Sequence, residues 1–174
     1  MYHLMSATGS SSRREDVNLD KLYGGIAVLD GSVLIGLALA EEHFEPLKRA
    51  IINEQMSPLT HELAVIELLY IICRKASMDA ARQKFDLLKG SGLIGIVPTN
   101  MLLEDAASIK CKRKLALADC FTIALAVKTN SVAVFAKIEK ELKEEIKREP
   151  FACDMYFVLE DLLLESGKTI NEKP

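Results

Sequence analysis

Short, mostly apolar segments alternate along this chain with longer segments of helical periodicity, and this alternation restricts the folds open to it. The apolar segments lie at 26–30, 93–99 and 131–136. A strand that is apolar along nearly its whole length is buried on both faces, as in a parallel sheet with helices on either side. The sequence therefore predicts an α/β fold with a central parallel sheet between two helical layers.

Helical patterns fill the intervals between these segments. Thr60 is placed to cap a long apolar helix, and Gly90 is placed to end the helix that follows it. After Pro150 the sequence predicts a short strand and then a last helix within 151–166. The other predicted helices cover 33–44, 45–55, 60–75, 78–90, 100–114, 115–130 and 137–149.

A length of 174 residues suits one domain with short tails. We predict a flexible polar tail at 1–24, a folded domain at 25–165 and a C-terminal tail at 166–174. The longest apolar run, 26–40, is shorter than the roughly 20 residues of a membrane span. The N-terminal residues also lack the pattern of a secretory signal. We therefore expect a cytoplasmic protein without membrane association.

Composition excludes some classes of function. The formal net charge of −3 argues against a general affinity for nucleic acid, although it is compatible with a local basic groove. The 4 cysteines do not have the spacing of a zinc site. We interpret most of them as small buried side chains in a reducing compartment.

Three acidic residues are isolated in otherwise uncharged segments. Burying a lone carboxylate costs free energy unless the group is paired or binds a metal ion. Three such residues in one chain favour a shared site. Each acid is the only charged residue of its run: Asp30 in 26–40, Glu67 in 63–73 and Asp119 in 115–127.

Each acid also has a structural interpretation. Asp30 could turn the chain after a strand by accepting nearby N–H bonds. Asp119 could cap the helix that follows it. Glu67 could pair with Arg74, although seven residues place the two about 10.5 Å apart along a helix axis. These alternatives stay open at the level of sequence.

The position and chemistry of the acids indicate a hard metal ion. Asp30 follows a predicted parallel strand, and ligands bind at the carboxyl ends of such strands. Carboxylate ligands without histidine suit Mg²⁺ or Mn²⁺ better than zinc, and such sites often serve phosphoryl chemistry. His61, beside Thr60, is expected at the protein surface rather than in the site.

Three segments together resemble the PIN-domain family, especially its archaeal and toxin-like members. They are AVLDGSVLI (27–35), LAVIELLYIICRK (63–75) and LALADCFTIALAV (115–127). The resemblance covers about 25–160 and identifies the predicted domain as PIN-like. It implies a three-layer α/β/α sandwich with a central parallel sheet. It also implies that Asp30, Glu67 and Asp119 are catalytic metal ligands.

The chain departs from the family pattern at the fourth acid. Lys137 stands where many members have an acidic residue, and Glu139 follows two positions later. Glu139 could replace that acid as a metal ligand, or it could be an ordinary exposed helix residue. Lys137 could offset the charge of the site or contact a phosphate.

Several other residues are candidates for RNA binding. A basic cluster just before Asp119 could hold an RNA backbone, or it could be a solvated helix end. Ser32 matches a family position that is commonly Ser or Thr. The candidate substrate-binding residues are Ser32, Lys110, Lys112, Arg113, Lys114 and Lys137.

The leading functional prediction is a metal-dependent endoribonuclease that cleaves RNA with metal-activated water. One alternative is a non-catalytic PIN-like module that binds RNA or protein, which Lys137 favours. A second alternative is a metal-dependent phosphatase. The resemblance implies that an antitoxin-like partner is possible, because some family members act as the toxin of a toxin–antitoxin pair. The apolar surface of 63–73 suggests a homodimer.

Overall fold

The computed structural model describes residues 19–168 and residue 170. Three short 3-10 helices, Leu19–Leu22, Glu42–Phe44 and Thr99–Met101, accompany the main elements. The main elements of these residues are β1 (Ile26–Leu29), α1 (Gly31–Ala38), α2 (Glu45–Ile52), β2 (Ser57–His61), α3 (Glu62–Lys75), α4 (Met78–Ser91), β3 (Gly95–Val97), α5 (Leu103–Lys112), α6 (Leu117–Lys128), β4 (Val132–Phe135), α7 (Lys140–Arg148), β5 (Met155–Phe157) and β6 (Leu162–Leu164).

The strands form one sheet in the order β3-β2-β1-β4-β5-β6. All neighbouring pairs are parallel except β5 and β6, which pair antiparallel. Strand β1 lies at the centre, where Val28 pairs with Leu59 on one side and Ala133 on the other. The predicted α/β fold with a largely parallel sheet is confirmed.

Helices cover both faces of this sheet and bury a separate apolar core on each. Successive residues of β1 enter opposite cores: Leu29 packs with residues of α1 to α4, and Val28 packs with residues of α5 to α7. Helix α6 is buried around most of its circumference. A strand between two cores must be apolar at every position, as the sequence pattern indicated.

Strand β2 was not predicted from the sequence, and two helix boundaries differ from those predicted. Thr60 lies inside β2, where its hydroxyl donates to the carbonyl of Leu29 at 2.8 Å. His61 caps α3 instead, through its ring Nδ1. Helix α4 ends at Gly92 rather than Gly90, because Gly92 has the left-handed φ of 66° that ends helices readily.

The predicted last helix is wrong, because residues Leu162–Leu164 form strand β6. Asp161 adopts a left-handed φ of 46° and reverses the chain. Its carboxylate accepts a hydrogen bond from the Tyr156 hydroxyl at 2.5 Å. The turn aligns Leu164 with Met155, so the apolar run extends the sheet.

The folded part of the chain begins earlier than predicted. Leu19 and Leu22 are each 2% exposed and belong to the core, although both fall within the predicted tail 1–24. The rest of that tail, 1–18, lies outside the described residues, as do 169 and 171–174 of the predicted C-terminal tail. Within the described part of the chain, no helix combines the length and hydropathy needed to cross a membrane.

Candidate active site

Asp30 lies at the carboxyl end of β1 and caps the first turn of α1. Its side chain is held by neutral donors and is only 5% exposed. Oδ2 accepts bonds from the Ser32 amide at 2.9 Å and the Ser32 hydroxyl at 2.6 Å. Oδ1 accepts a bond from the Thr122 hydroxyl at 3.1 Å. The structural interpretation of Asp30 as a turn and capping residue is therefore observed, but it leaves the negative charge uncompensated.

The Ser32 hydroxyl also accepts a bond from the amide of Ala136 at 3.1 Å, just beyond β4. Ser32 therefore links Asp30 to the neighbouring strand. Ser32 was a candidate for substrate binding, and in the structure its amide and hydroxyl hold the Asp30 carboxylate in position.

Glu67 projects from α3 and lies against the chain next to Asp30. A Cβ atom added at Gly31 would lie 2.1 Å from Glu67 Oε2, so only a glycine leaves this space. Arg74 stacks over the Tyr70 ring at 5.0 Å. Among the described residues, Glu67 forms no ion pair with Arg74 or any other cation. The pairing alternative is thus not observed.

Asp119 is the third residue of α6, whose cap position is Ala116. Asp119 is therefore not the helix cap considered from sequence. Its helix packs against both β1 and α3. Thr122 follows three residues later, so its hydroxyl lies on the same side of the helix as the Asp119 carboxylate.

The acids influence one another electrostatically. Burial, followed by the charges of Asp30 and Glu139, raises the pKa of Glu67 to about 7. Burial and the charges of Asp30, Glu139 and Glu67 raise the pKa of Asp119 to about 7 as well, against a backbone bond at Ala116 that lowers it. The charges of Asp30 and Glu139 therefore act on both Glu67 and Asp119, and we call these four residues the acid cluster: Asp30, Glu67, Asp119 and Glu139.

The donor chemistry of the acid cluster fits a hard divalent cation. Its members offer oxygen atoms alone, and excess negative charge favours a counter-ion. In the described part of the chain, no three His, Cys, Asp or Glu side chains are already arranged to hold a metal ion. The prediction that the carboxylates share one ion stays a prediction.

Glu139 and Lys137 lie in the connection between β4 and α7, and both are exposed. Glu139 occupies the cap position of α7 without making a side-chain capping bond. Its charge nevertheless raises the pKa of both Glu67 and Asp119. Glu139 is therefore part of the acid cluster, and the exposed Lys137 lies two residues before it in the sequence.

The basic residues before Asp119 do not form one continuous exposed surface. Arg113 is largely buried, stacks over Phe151 at 4.4 Å and donates to the carbonyl of Glu149 at 2.7 Å. Lys110 donates to the carbonyl of Leu115. These two candidates for RNA binding therefore make contacts within the protein, and these contacts join α5 to the segments that follow it. Lys112 and Lys114 are exposed.

Sequence reasoning placed His61 at the surface, and this prediction is wrong. The side chain is 0% exposed, and its Nε2 lies 2.9 Å from the hydroxyl of Thr122. Burial lowers the pKa of His61 to about 4, although the charge of Asp30 raises it. Thr122 was missed altogether. Its signal was the same as that of Asp119, a polar residue in the apolar run LALADCFTIALAV.

Comparison with known proteins assigns the family. The family model for the PIN domain matches residues 27–137. The chain belongs to the PIN domain family. No curated protein sequence matches this PIN domain. The matched region contains Asp30, Glu67 and Asp119.

Solved structures share the fold of this PIN domain at low sequence identity. VapC20 of Mycobacterium tuberculosis, a sarcin-ricin-loop-cleaving toxin, matches with a TM-score of 0.54 and 16% identity over 68% of this chain and 93% of its own. VapBC2 of Rickettsia felis, bound to promoter DNA, matches with a TM-score of 0.51 and 16% identity over 69% and 92%. A toxin–antitoxin complex from Klebsiella pneumoniae matches with a TM-score of 0.50 and 16% identity over 66% and 88%.

Proposed function

We propose that this PIN domain is a metal-dependent endoribonuclease. The observation that carries the proposal is the acid cluster. Asp30 is buried, Glu67 and Asp119 are partly buried, and burial together with the charges of Asp30 and Glu139 raises the pKa of Glu67 and of Asp119. Family membership supports a ribonuclease-type role in general. The acid cluster lies where parallel strands end, which is the usual place for a ligand in such sheets.

In this proposal Asp30, Glu67 and Asp119 hold Mg²⁺ or Mn²⁺, and Glu139 adds negative charge beside them. A divalent cation in such a site lowers the pKa of water and stabilises the charge that develops on a phosphodiester. The amide and hydroxyl groups of Ser32 keep Asp30 Oδ2 in place. Cleavage by water in this family implies 5′-phosphate and 3′-hydroxyl products.

Cations near the acid cluster are proposed to hold the RNA backbone. Lys137 is exposed and lies two residues before Glu139, so it is placed to contact a phosphate. Lys112 and Lys114 are exposed at the end of α5. Arg113 is left out of this set because its guanidinium is committed to Glu145, Glu149 and Phe151.

A protein partner of the antitoxin type is also proposed. One of the similar structures, from Klebsiella pneumoniae, is a toxin–antitoxin complex. Self-association is proposed from α3, where Ile66 is 55% exposed and Tyr70 is also exposed. Sedimentation velocity over a range of concentrations would test the dimer, and a single monomeric species would contradict it.

Cleavage assays distinguish the proposal from its alternatives. Purified protein is incubated with end-labelled RNA in Mg²⁺, in Mn²⁺ and in chelator, and separately with a mononucleotide. We expect RNA cleavage that requires the metal and vanishes in Asp119→Asn. RNA binding without cleavage would support the non-catalytic module, for which Lys137 is the argument. Phosphate release from the mononucleotide alone would support a phosphatase.

A further inference from the structure

A buried chain of hydrogen bonds reaches Asp30 from a histidine that the proposed chemistry does not use. His61 ends β2 and caps α3, and its Nδ1 accepts a bond from the amide of Ala64 at 3.2 Å. A ring nitrogen that accepts an N–H bond carries no proton. The proton of the neutral ring therefore lies on Nε2, which is 2.9 Å from the Thr122 hydroxyl.

This tautomer orients the Thr122 hydroxyl. Because His61 Nε2 donates to Thr122 Oγ1, the hydroxyl proton is free to be donated onward. Asp30 Oδ1 lies 3.1 Å away and the carbonyl of Ala118 lies 3.2 Å away. A charged carboxylate is the stronger acceptor of the two. The donors in this series of hydrogen bonds therefore all point the same way, from Ala64 through His61 and Thr122 to Asp30.

The two carboxylate oxygens of Asp30 accept different numbers of hydrogen bonds. Each carboxylate oxygen has two lone-pair sites. Oδ2 accepts two bonds, from the amide and the hydroxyl of Ser32. Oδ1 accepts a bond from Thr122, which leaves it one lone pair. Among the contacts of the described residues, Oδ1 is thus the oxygen of Asp30 with room for a cation.

The same residues join the elements that carry the acid cluster. Thr122 is one turn from Asp119 on α6, His61 begins the helix that carries Glu67, and Asp30 ends β1. We propose that Thr122, oriented by His61, is a positioning residue that fixes Asp30 Oδ1 toward the bound cation and so sets metal affinity. This inference rests on the metal site of the proposed function.

A structural role alone is the competing explanation. A threonine in a helix often bonds to the carbonyl four residues earlier, as Thr122 does with Ala118. Thr129, the C-cap residue of the same helix, makes the equivalent bond to Leu125 at 2.8 Å and also pairs with the Ser131 hydroxyl at 2.7 Å, and no bond recorded among the described residues joins it to the acid cluster. Thr129 is therefore a matched control for the loss of a helix hydroxyl.

The test measures Mn²⁺ binding by isothermal titration calorimetry, with thermal melts in chelator as a second readout. Thr122→Val keeps the shape of the side chain and removes the hydroxyl. We expect its affinity for Mn²⁺ to fall about 10- to 100-fold, as is typical when a partner of a metal ligand is lost. Thr122→Ser should restore most of that affinity, and Thr129→Val should leave it unchanged.

His61→Asn separates capping from the contact with Thr122. Asparagine caps a helix well but is too short to reach the Thr122 hydroxyl. We expect the Mn²⁺ affinity of the folded variant to fall, and the melting temperature in chelator to fall as well because the fully buried ring leaves a cavity. Equal Mn²⁺ affinity in wild type, Thr122→Val and His61→Asn would overturn the positioning role alone. Absence of Mn²⁺ binding to the wild type would overturn the proposed metal site with it.

Discussion

Two regions of this protein hold carboxylates in opposite electrostatic surroundings: Glu145 is buried, and Glu67 and Asp119 are partly buried. Glu145 on α7 accepts bonds from the Lys114 amide at 3.2 Å and from Arg148 at 2.5 Å. Burial raises the pKa of Glu145, but these bonds and the charges of Arg148 and Arg113 lower it overall. Glu67 and Asp119 have acids as neighbours instead, and the pKa of each is raised to about 7.

The two regions differ in whether the protein itself supplies positive charges beside the carboxylates. Glu145 has its counter-charges within the chain, so its burial needs nothing further. The acid cluster has no such partner among the described residues, and retaining it costs stability. A bound divalent cation would supply the missing charge, which is why we assign function to the second region and not to the first.

The largest expected effect is that of Asp30→Asn on RNA cleavage. Removing a charged ligand should lower metal-dependent cleavage by at least about 100-fold, the upper end of effects seen when only a supporting residue is lost. Stability in chelator should stay the same or rise, because asparagine caps helices as well as aspartate and repulsion decreases. Melts in Mg²⁺ and in chelator, beside cleavage assays, check both. Equal destabilisation in both buffers, or retained cleavage, would contradict the assignment.

Arg113→Ala should lower stability and leave metal binding unchanged, which is the reverse of the effect expected for Asp30→Asn. Its side chain is 9% exposed and lies 3.7 Å from the Glu145 carboxylate. Breaking a buried pair should lower the free energy of unfolding by about 3 kcal/mol, near the lower end of the usual range because Arg148 remains. Urea unfolding measures this loss, and Arg113→Lys should lose less. Mn²⁺ affinity of the folded variant should match wild type. Weakened RNA binding with normal stability would instead restore Arg113 as a substrate contact.

The two regions should also differ in their response to pH. The pKa values of Glu67 and Asp119 are higher in the folded state than the ordinary values of 4.5 and 3.8. The folded state therefore binds more protons than the unfolded state between about pH 4 and 7, so stability falls as pH rises through this range. Melts of metal-free protein should show this decline. Glu67→Gln should reduce it, and an unchanged slope in that variant would count against the raised pKa.

The smallest effect is expected from Gly31→Ala. The new methyl group would meet Glu67 Oε2 and, at 3.0 Å, Glu67 Cβ. The Glu67 carboxylate must move, so Mn²⁺ affinity should fall by less than about tenfold, below the typical loss of a supporting partner. Calorimetry measures the change. The double variant with Glu67→Gln should lose nothing further, and additive losses would mean that the two residues act independently.

The sequence was sufficient for the fold class, and it singled out three acids as candidates, because both depend on local pattern. Continuous apolar strands mark a buried parallel sheet, and a lone acid stands out in an apolar run. Strands β2 and β6 were not predicted. The segment Ser57–His61 contains Pro58 and few apolar residues, and Leu162–Leu164 is too short to show a periodic pattern. Their pairing comes from the sheet beside them.

Contacts between distant residues could not be predicted from one sequence. His61 and Thr122 are 61 positions apart, and Thr122 and Asp30 are 92 apart. The burial of Arg113 similarly depends on Phe151 and on acids of α7. Asp30, Glu67 and Asp119 stood out in the sequence because burying a charge is costly whatever it contacts. A hydroxyl or imidazole is less costly to bury and so gave a weaker signal.

The central claim is that the acid cluster holds one site for a divalent cation, and anomalous diffraction tests it most directly. Crystals of the protein grown with Mn²⁺ would be measured near the manganese absorption edge. We predict an anomalous peak whose nearest ligands are carboxylate oxygens of Asp30, Glu67 and Asp119, at the roughly 2.1–2.2 Å typical of small hard cations. A peak elsewhere, or none at a Mn²⁺ concentration that supports cleavage, would contradict the claim.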